Sequence, residues 1–315
     1  MIPAVSVIIP VYKVEDYIER CSRSLFEQSL ANMEYIFVDD CSPDNSIQIL
    51  SKVIEEYPNR KSQVKIVRTP VNSGLPMARR YGLQFISGEY VIHCDSDDWV
   101  DLTMYEEMYN IAENYGYDIV MTSFQLSSSK AGFHNDDYIS NDKQEIMRNL
   151  LIGKCHSSLC TKLVRTGVYD NKILYPLDNM REDMVLAVQL VYYANKVGQY
   201  DNAPYHYFVN PDSISRVTCM DKIFKRFEQS VNNIGIIEEF IKREDLLSVF
   251  VNDIRVLRFM TAMELWPFIH TSEGLTLCSS LHIKLSLFEI LCFPVPISFK
   301  VKYALFKLGL ESLFS

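Results

Sequence analysis

A surplus of basic residues is missing from this 315-residue chain: 31 Lys and Arg stand against 40 Asp and Glu, a formal net charge of -9. Neutralising a phosphate backbone needs the opposite balance, so no nucleic-acid partner is expected. Any anionic ligand has to be met by local positive charge or a bridging cation. CxxC pairs and Cys/His ligand spacings are also missing; the eight Cys are scattered at 21, 41, 94, 155, 160, 219, 278 and 292. That pattern fits a reduced, cytoplasmic protein with buried thiols better than a secreted disulfide scaffold. No apolar run reaches the length of about 18 residues that a membrane span requires. The apolar start at residues 5–9 is short, has no basic region before it and runs into Pro10, unlike a secretion signal. There is no GxGxxG after the first strand and no GxxxxGK[ST], which argues against a nicotinamide dehydrogenase or a P-loop ATPase. GxSxG and HExxH are absent as well.

What remains is an ordinary globular composition, 48% hydrophobic and 23% charged, in a length that suits one large domain or two. The first hundred residues alternate strand and helix signals. Residues 5–9 and 35–38 read as buried strands, the first on both faces, and 64–67 and 90–94 as two further strands. Residues 15–29, 45–57 and a segment opened by Pro76 read as helices. Such βαβ units predict a mostly parallel central sheet flanked by helices. Further on, helices are expected at 102–115, 142–152 and 182–195, with strands at 118–122 and 205–209 and a Ser-rich loop at 127–130. After a soft boundary near 216 the pattern turns helical, at 221–243, 246–265 and 298–314.

Ligands of open α/β sheets bind outside the carboxyl ends of the strands, and here two strands stop directly at paired acids. Asp95-Ser96-Asp97-Asp98 places two carboxylates where both can reach one hard cation that prefers oxygen and bridges nucleotide phosphates. The same residues also suit an acidic turn before the next helix. Asp39-Asp40-Cys41-Ser42 can accept hydrogen bonds from a uracil imide or a ribose, or simply form an Asx turn. Arg181-Glu182-Asp183 opens a helix; an acid there can serve as general base, or merely complement the helix dipole.

Taken in order, these residues resemble glycosyltransferase family 2, inverting enzymes of the GT-A fold. Val5-Ser6-Val7-Ile8-Ile9-Pro10-Val11-Tyr12-Lys13 is similar to the family's SVIIPxYN opening, with Lys13 in the usual Asn place. Ser24-Leu25-Phe26-Glu27-Gln28 matches its SLxxQ helix and Val38-Asp39-Asp40-Cys41-Ser42 its VDDxS. Asn72-Ser73-Gly74-Leu75 with Ala78-Arg79-Arg80 and Gly82-Leu83 resembles NxGLxxARNxG, Arg80 replacing Asn. Asp95-Ser96-Asp97 is its DXD motif, Lys162-Leu163 and Glu182-Asp183 its later KL and ED elements, and Asp212-Ser213-Ile214-Ser215-Arg216 its terminal SxS segment.

The resemblance implies a nucleotide-sugar donor, with UDP the expected nucleotide, and a divalent ion, Mg or Mn. It implies Asp183 as catalytic base, and Asp40, with Pro10 and Tyr12 beside it, at the nucleotide base. Asp95 and Ser96 would stand at the ribose, Asp95 and Asp97 at the metal, and Arg79 near the pyrophosphate unless it is a solvated helix residue. Glu182 and Lys162 are expected on the acceptor side. Residues 1–216 would form the catalytic domain, its nucleotide-binding half ending near 100, and 217–315 a helical extension. The implied setting is cell-surface polysaccharide biosynthesis from a glycan or lipid-linked acceptor. In the extension, Phe299, Tyr303, Phe306, Leu310 and Leu313 share one helical face flanked by Lys300, Lys302 and Lys307. That face suits peripheral contact of residues 281–315 with the inner surface of the cell membrane, or packing on the domain or a homodimer partner. Two alternatives stay open: a sugar-nucleotide-binding or complex-forming protein without turnover, and a nucleotidyltransferase.

Overall fold

The computed structural model describes residues 2–127, 140, 142–209, 219–268, 271–281, 290 and 292–307. Residues 128–130 of the Ser-rich loop, the 212–216 segment with the boundary near 216, and Leu310 and Leu313 lie outside them.

Strands β1 (Val5–Val11), β2 (Met33–Asp39), β3 (Val64–Arg68) and β4 (Tyr90–His93) pair in parallel in the order β3-β2-β1-β4. Side chains of a strand alternate between the two faces, and in β1, β2 and β4 both faces are buried, while the edge strand β3 is partly exposed. Val5, Val7, Ile9 and Val11 pack with α1 (Ile18–Phe26), α2 (Ser46–Glu56) and α4 (Met104–Tyr115). Ile8, with Ile36 and Val38 of β2, faces α3 (Leu75–Gly82), α5 (Lys143–Leu151) and α6 (Glu182–Tyr193). Pro10 is tolerated inside this central strand because pairing with β4 ends at Ile8 and His93, so no neighbour on that side asks for its missing N–H.

The other half of the sheet departs from the expected mostly parallel pattern. Strand β7 (Lys162–Arg165) inserts antiparallel between β4 and β6 (Ile119–Leu126). Strand β8 (Val197–Tyr207) runs parallel to β6, and β5 (Trp99–Val100) closes the edge antiparallel to β8. The sheet is therefore mixed. The expected strand at 205–209 is the end of the 11-residue β8. Asp201-Asn202-Ala203-Pro204 reads as a turn in sequence, and in the structure the register of β6 against β8 shifts beside it. Helix α1 starts at Ile18 because Tyr17 N and Ile18 N both close turns on the carbonyl of Val14, while Asp44 caps Glu15 N.

Beyond the sheet come α7 (Met220–Arg243), α8 (Leu247–Met263), α9 (Ser272–Ser280) and α10 (Ile297–Lys307). Ile234, Ile237, Phe240, Phe250 and Leu257 join the same core as α5 and α6, so the helical extension is packed onto the sheet-bearing part of the chain. Tyr303, buried, meets Phe259 edge-on at 5.4 Å between ring centroids, and Phe299 packs beside it. The part of the terminal apolar face that is described thus turns inward. Among the described residues no helix is long and apolar enough to cross a membrane.

Candidate active site

Because β1, β2 and β4 are parallel, their carboxyl ends share one edge, and the loops that leave it carry most of the expected site. Asp40, 3% exposed, follows β2 and accepts from Thr69 Oγ1 at 2.8 Å, Ser73 N at 2.9 Å and Oγ at 3.0 Å, and Gly74 N at 2.9 Å. It fixes the loop that opens α3. Tyr12 projects from the end of β1, 41% exposed, next to Lys13, whose positive φ of 56° is stabilised by its N–H donating to Ser42 Oγ at 2.8 Å. Pro10 is buried within β1, directly across from Val38.

The centre of the edge is a charge cluster. Arg79 of α3 is 1% exposed, and its Nη2 lies 2.6 Å from Asp95 Oδ1 at the end of β4. Its Nη1 donates to both Glu182 Oε1 and Asp183 Oδ1 in the first turn of α6. The solvated-helix reading of Arg79 is thereby overturned; Glu182, in the first turn of α6, is only 3% exposed as well. One buried guanidinium cannot neutralise three carboxylates, and the surplus appears in the titration of Glu182. Burial pushes Glu182 well above the usual carboxylate range, Asp183 and Asp95 add to it, and Arg79 only partly opposes. Asp183 goes the other way: burial raises it, but Arg79, a hydrogen bond from Glu182 and His156 outweigh that and hold it below its ordinary value. The two neighbouring carboxyls are thus split in opposite directions by their environment, Glu182 upward and Asp183 downward.

Around this cluster the structure places further groups; Asp98 belongs to the acidic 95–98 motif, whereas His93 and His156 had no sequence signal. His93, buried at the end of β4, is pushed down to about 3 by burial and Arg79, and its Nε2 stands 3.4 Å from Tyr169 Oη. Burial and Lys162 push His156 down to about 4 against the pull of Asp183. Asp98 is 1% exposed; burial, Asp95 and Asp97 raise it well above the carboxylate range, while Tyr205 Oη and Phe208 N donate to it. Arg20 lies 4.0 Å above the ring of Trp99 and donates to the Asp97 carbonyl at 2.7 Å; Trp99 in turn stacks on His206. These contacts hold the 95–99 turn, with buried Ser96 inside it. They join segments 77 to 110 residues apart, which spacing within one motif does not reveal.

Lys162, expected on the acceptor side, is 2% exposed, and its Nζ donates to the carbonyls of His156 at 2.6 Å and Ser158 at 2.9 Å. It latches the turn before β7 rather than projecting toward a ligand. For a divalent ion, the donors at hand are the carboxylates of Asp95 and Asp97, oxygen ligands of the kind Mg and Mn favour. Among the described residues no three His, Cys, Asp or Glu side chains converge into a metal cage. An ion there fits as one that takes few protein ligands and completes its shell with phosphate and water. Asp95, its side chain 29% exposed, can offer an oxygen outward while Oδ1 stays on Arg79.

Comparison with known proteins agrees with this geometry. The family model for glycosyl transferase family 2 matches residues 6–171, more than half of the chain. The chain belongs to that family. A curated relative, the minor teichoic acid biosynthesis protein GgaB of Bacillus subtilis, is 30% identical over 218 residues, 67% of this chain and 23% of that protein. Across four bacterial relatives the matched stretch spans between 23% and 62% of their length. Among solved structures, S. aureus TarS (residues 1–349) in complex with UDP-GlcNAc superposes with a TM-score of 0.60, covering 88% of this chain and 90% of that one at 18% identity. The mannosyltransferase PcManGT from Pyrobaculum calidifontis, in complex with GDP-Man and Mn2+, has a TM-score of 0.57, covers 99% and 85%, and is 14% identical. The fold is thus the GT-A fold, its mixed eight-stranded sheet included.

Proposed function

We propose that the chain transfers a sugar, with inversion, from a UDP-sugar to a hydroxyl of a glycan or lipid-linked acceptor in cell-surface polysaccharide biosynthesis. The observation that carries this reading is the shared guanidinium. Arg79 ties Asp95, on the donor side of the edge, to Asp183, whose depressed titration keeps it ionised and able to take a proton. Asp183 would remove the acceptor proton as the oxygen attacks the anomeric carbon, a single displacement. Glu182, which shares the Arg79 Nη1 donor with Asp183, would help keep that donor and the base in place. Asp40, Pro10 and Tyr12 would frame the nucleotide base, and Asp95 and Ser96 the ribose. Asp95 and Asp97 would hold the divalent ion, which when bound supplies positive charge to the departing diphosphate. GgaB's role in teichoic acid biosynthesis supports the polysaccharide setting, TarS with UDP-GlcNAc the UDP donor, and PcManGT with Mn2+ the metal. A peripheral position on the inner membrane face and a homodimer remain part of the proposal only as the setting in which a lipid-linked acceptor would be met.

The test is a thermal-shift series of the purified chain against nucleoside diphosphates with and without MnCl2. Ligands that bind the folded state raise Tm by mass action. Stabilisation by UDP that needs Mn and is lost in Asp97→Ala is the expected result. Equal stabilisation with and without the metal, or none by any nucleotide, would sink the donor-site reading.

A further inference from the structure

We propose that Asn233 of α7 is a positioning residue for Asp183, so that the helical extension holds the base in place from outside the catalytic half. The proposal rests on the reading of Asp183 as the base and gives the extension a task in that same site.

Asn233 is fully buried, and its one amide nitrogen donates to two carbonyls of the loop from which α6 springs, Asp178 O at 2.6 Å and Met180 O at 2.7 Å. Two bonds from one planar group fix both where the loop lies and how it is rotated. Its neighbour Asn232 adds a bond to Asp178 Oδ2 at 2.9 Å. A second tie comes from the end of α8: Glu264 Oε1 receives Arg181 Nη2 at 2.6 Å. Arg181 itself is the residue before α6 and has φ 61° and ψ 18°. A side chain with a Cβ stays in that left-handed conformation only where its surroundings impose it. No side chain caps the N-terminus of α6, so the helix start is set by these outside ties. On its other flank the loop bears on the donor side, where Asn179 Oδ1 lies 3.1 Å from the place a Cβ on Gly74 would occupy.

Packing alone does not account for Asn233. The apolar residues Ile234, Ile237 and Phe240 already seat α7 on the core. A buried amide costs free energy unless it is bonded, and here Oδ1 finds no partner among the described residues. What the amide contributes is its nitrogen, directed at the loop. Asp183 stands in the first turn of α6, so a shift of the loop is carried to its carboxylate directly.

The experiment uses the full chain and compares wild type with Asn233→Asp, which keeps the shape and removes both donors, and with Glu264→Ala and Glu264→Gln. Hydrogen exchange of peptides covering 176–186 is read first, because it needs no turnover. UDP release from UDP-glucose, UDP-galactose and UDP-GlcNAc, with water in the acceptor's place, is read second. Asn233→Asp is expected to speed exchange in 176–186 while peptides of β1 to β4 stay as in wild type. It should lower kcat by about 10- to 100-fold with KM within about 2-fold, the mark of misplacement rather than lost donor binding. Glu264→Ala should show the same pattern more weakly, and Glu264→Gln, which keeps an acceptor for Arg181, should restore it. Unchanged exchange in 176–186 for Asn233→Asp overturns the proposal, whatever the activity. If Asn233→Asp does not fold, unchanged exchange in Glu264→Ala has the same force. An Asp183→Asn chain that still releases UDP would instead overturn the reading of the base, and leaves the exchange result to decide the clamp by itself.

Discussion

Asp95, at the end of β4, and Asp183, in the first turn of α6, are bound by the same guanidinium: Arg79 Nη2 reaches Asp95 Oδ1 at 2.6 Å while its Nη1 takes Asp183. The end of β4 and the start of α6 are therefore one electrostatic unit, and a change in charge at one carboxylate is felt at the other.

Arg79 should accordingly be among the least replaceable residues of the fold. Removing one partner of a buried ion pair leaves uncompensated charge and typically costs about 3–5 kcal/mol. For Arg79→Met we expect a loss of that order in urea unfolding at neutral pH, from a side chain only 1% exposed. A loss under about 1 kcal/mol would mean that the carboxylates simply take up protons at little cost. Arg79→Lys keeps the charge but not the fork, and should fall between Arg79→Met and wild type.

Asp183→Asn should lower sugar transfer by about 100- to 10,000-fold, the range for loss of a general base. The UDP-dependent rise in Tm should persist in reduced size, since Asp40 and Asp97 are untouched and only Asp95 feels the lost charge, through Arg79. The pH profile carries a sign. Asp183 lies below its ordinary value, so it stays ionised as pH falls from about 8 to about 5 and imposes no acidic limb on kcat there. In Arg79→Lys the lowering by Arg79 weakens and the effect of burial remains, so an acidic limb should move up toward that window. A limb that does not move would separate Arg79 from the base.

How much of this was legible in the sequence differs from one element to the next. The strands β1, β2 and β4 were readable because both faces are buried, which leaves continuous apolar runs ending at acids. Asp40, Asp95 and Asp183 were readable as candidates because each follows such a run or opens a helix. The roles of Arg79 and Lys162 were not. A cation on an amphipathic helix or strand looks the same in sequence whether it meets water or three carboxylates, and only the crossing of α3 against α6 decides. The strands β5 and β7, with 2 and 4 residues, are too short to show a period. The clamp by Asn233 joins residues 53 and 55 positions apart through backbone carbonyls, and carbonyls carry no sequence signature at all.

Gly74→Ala should be costly for two independent reasons. With φ 84° and ψ 166°, Gly74 sits in a region that only glycine occupies readily, a strain of about 1–3 kcal/mol for any other residue. The added Cβ would also stand 3.1 Å from Asn179 Oδ1. Gly74 N is one of the donors that Asp40 gathers, at 2.9 Å. The expected outcome is therefore a lower Tm together with weaker UDP stabilisation. A variant that loses stability yet keeps full UDP response would show that the 72–74 loop does not bear on the nucleotide.

Stability should fall between about pH 6.5 and pH 4, and His93 and His156 should be part of the cause. Both are held neutral in the fold, His93 at about 3 and His156 at about 4, against an ordinary value of 6.5. A group with a lowered folded value binds its proton more readily when unfolded. Its contribution is fully present above 6.5 and is lost as pH falls toward the folded value. At about 1.4 kcal/mol per pH unit for each group, the two together cost about 4 kcal/mol at pH 5. Glu182 and Asp98 act in the opposite sense, because their raised values make the fold take up protons first. The total slope therefore mixes both signs, and the informative quantity is the difference between wild type and His93→Gln in urea unfolding at about pH 8 and pH 5. The variant should start less stable and lose less on acidification, so that the gap narrows. A gap of constant size would mean that His93 does not titrate between the two states in this range.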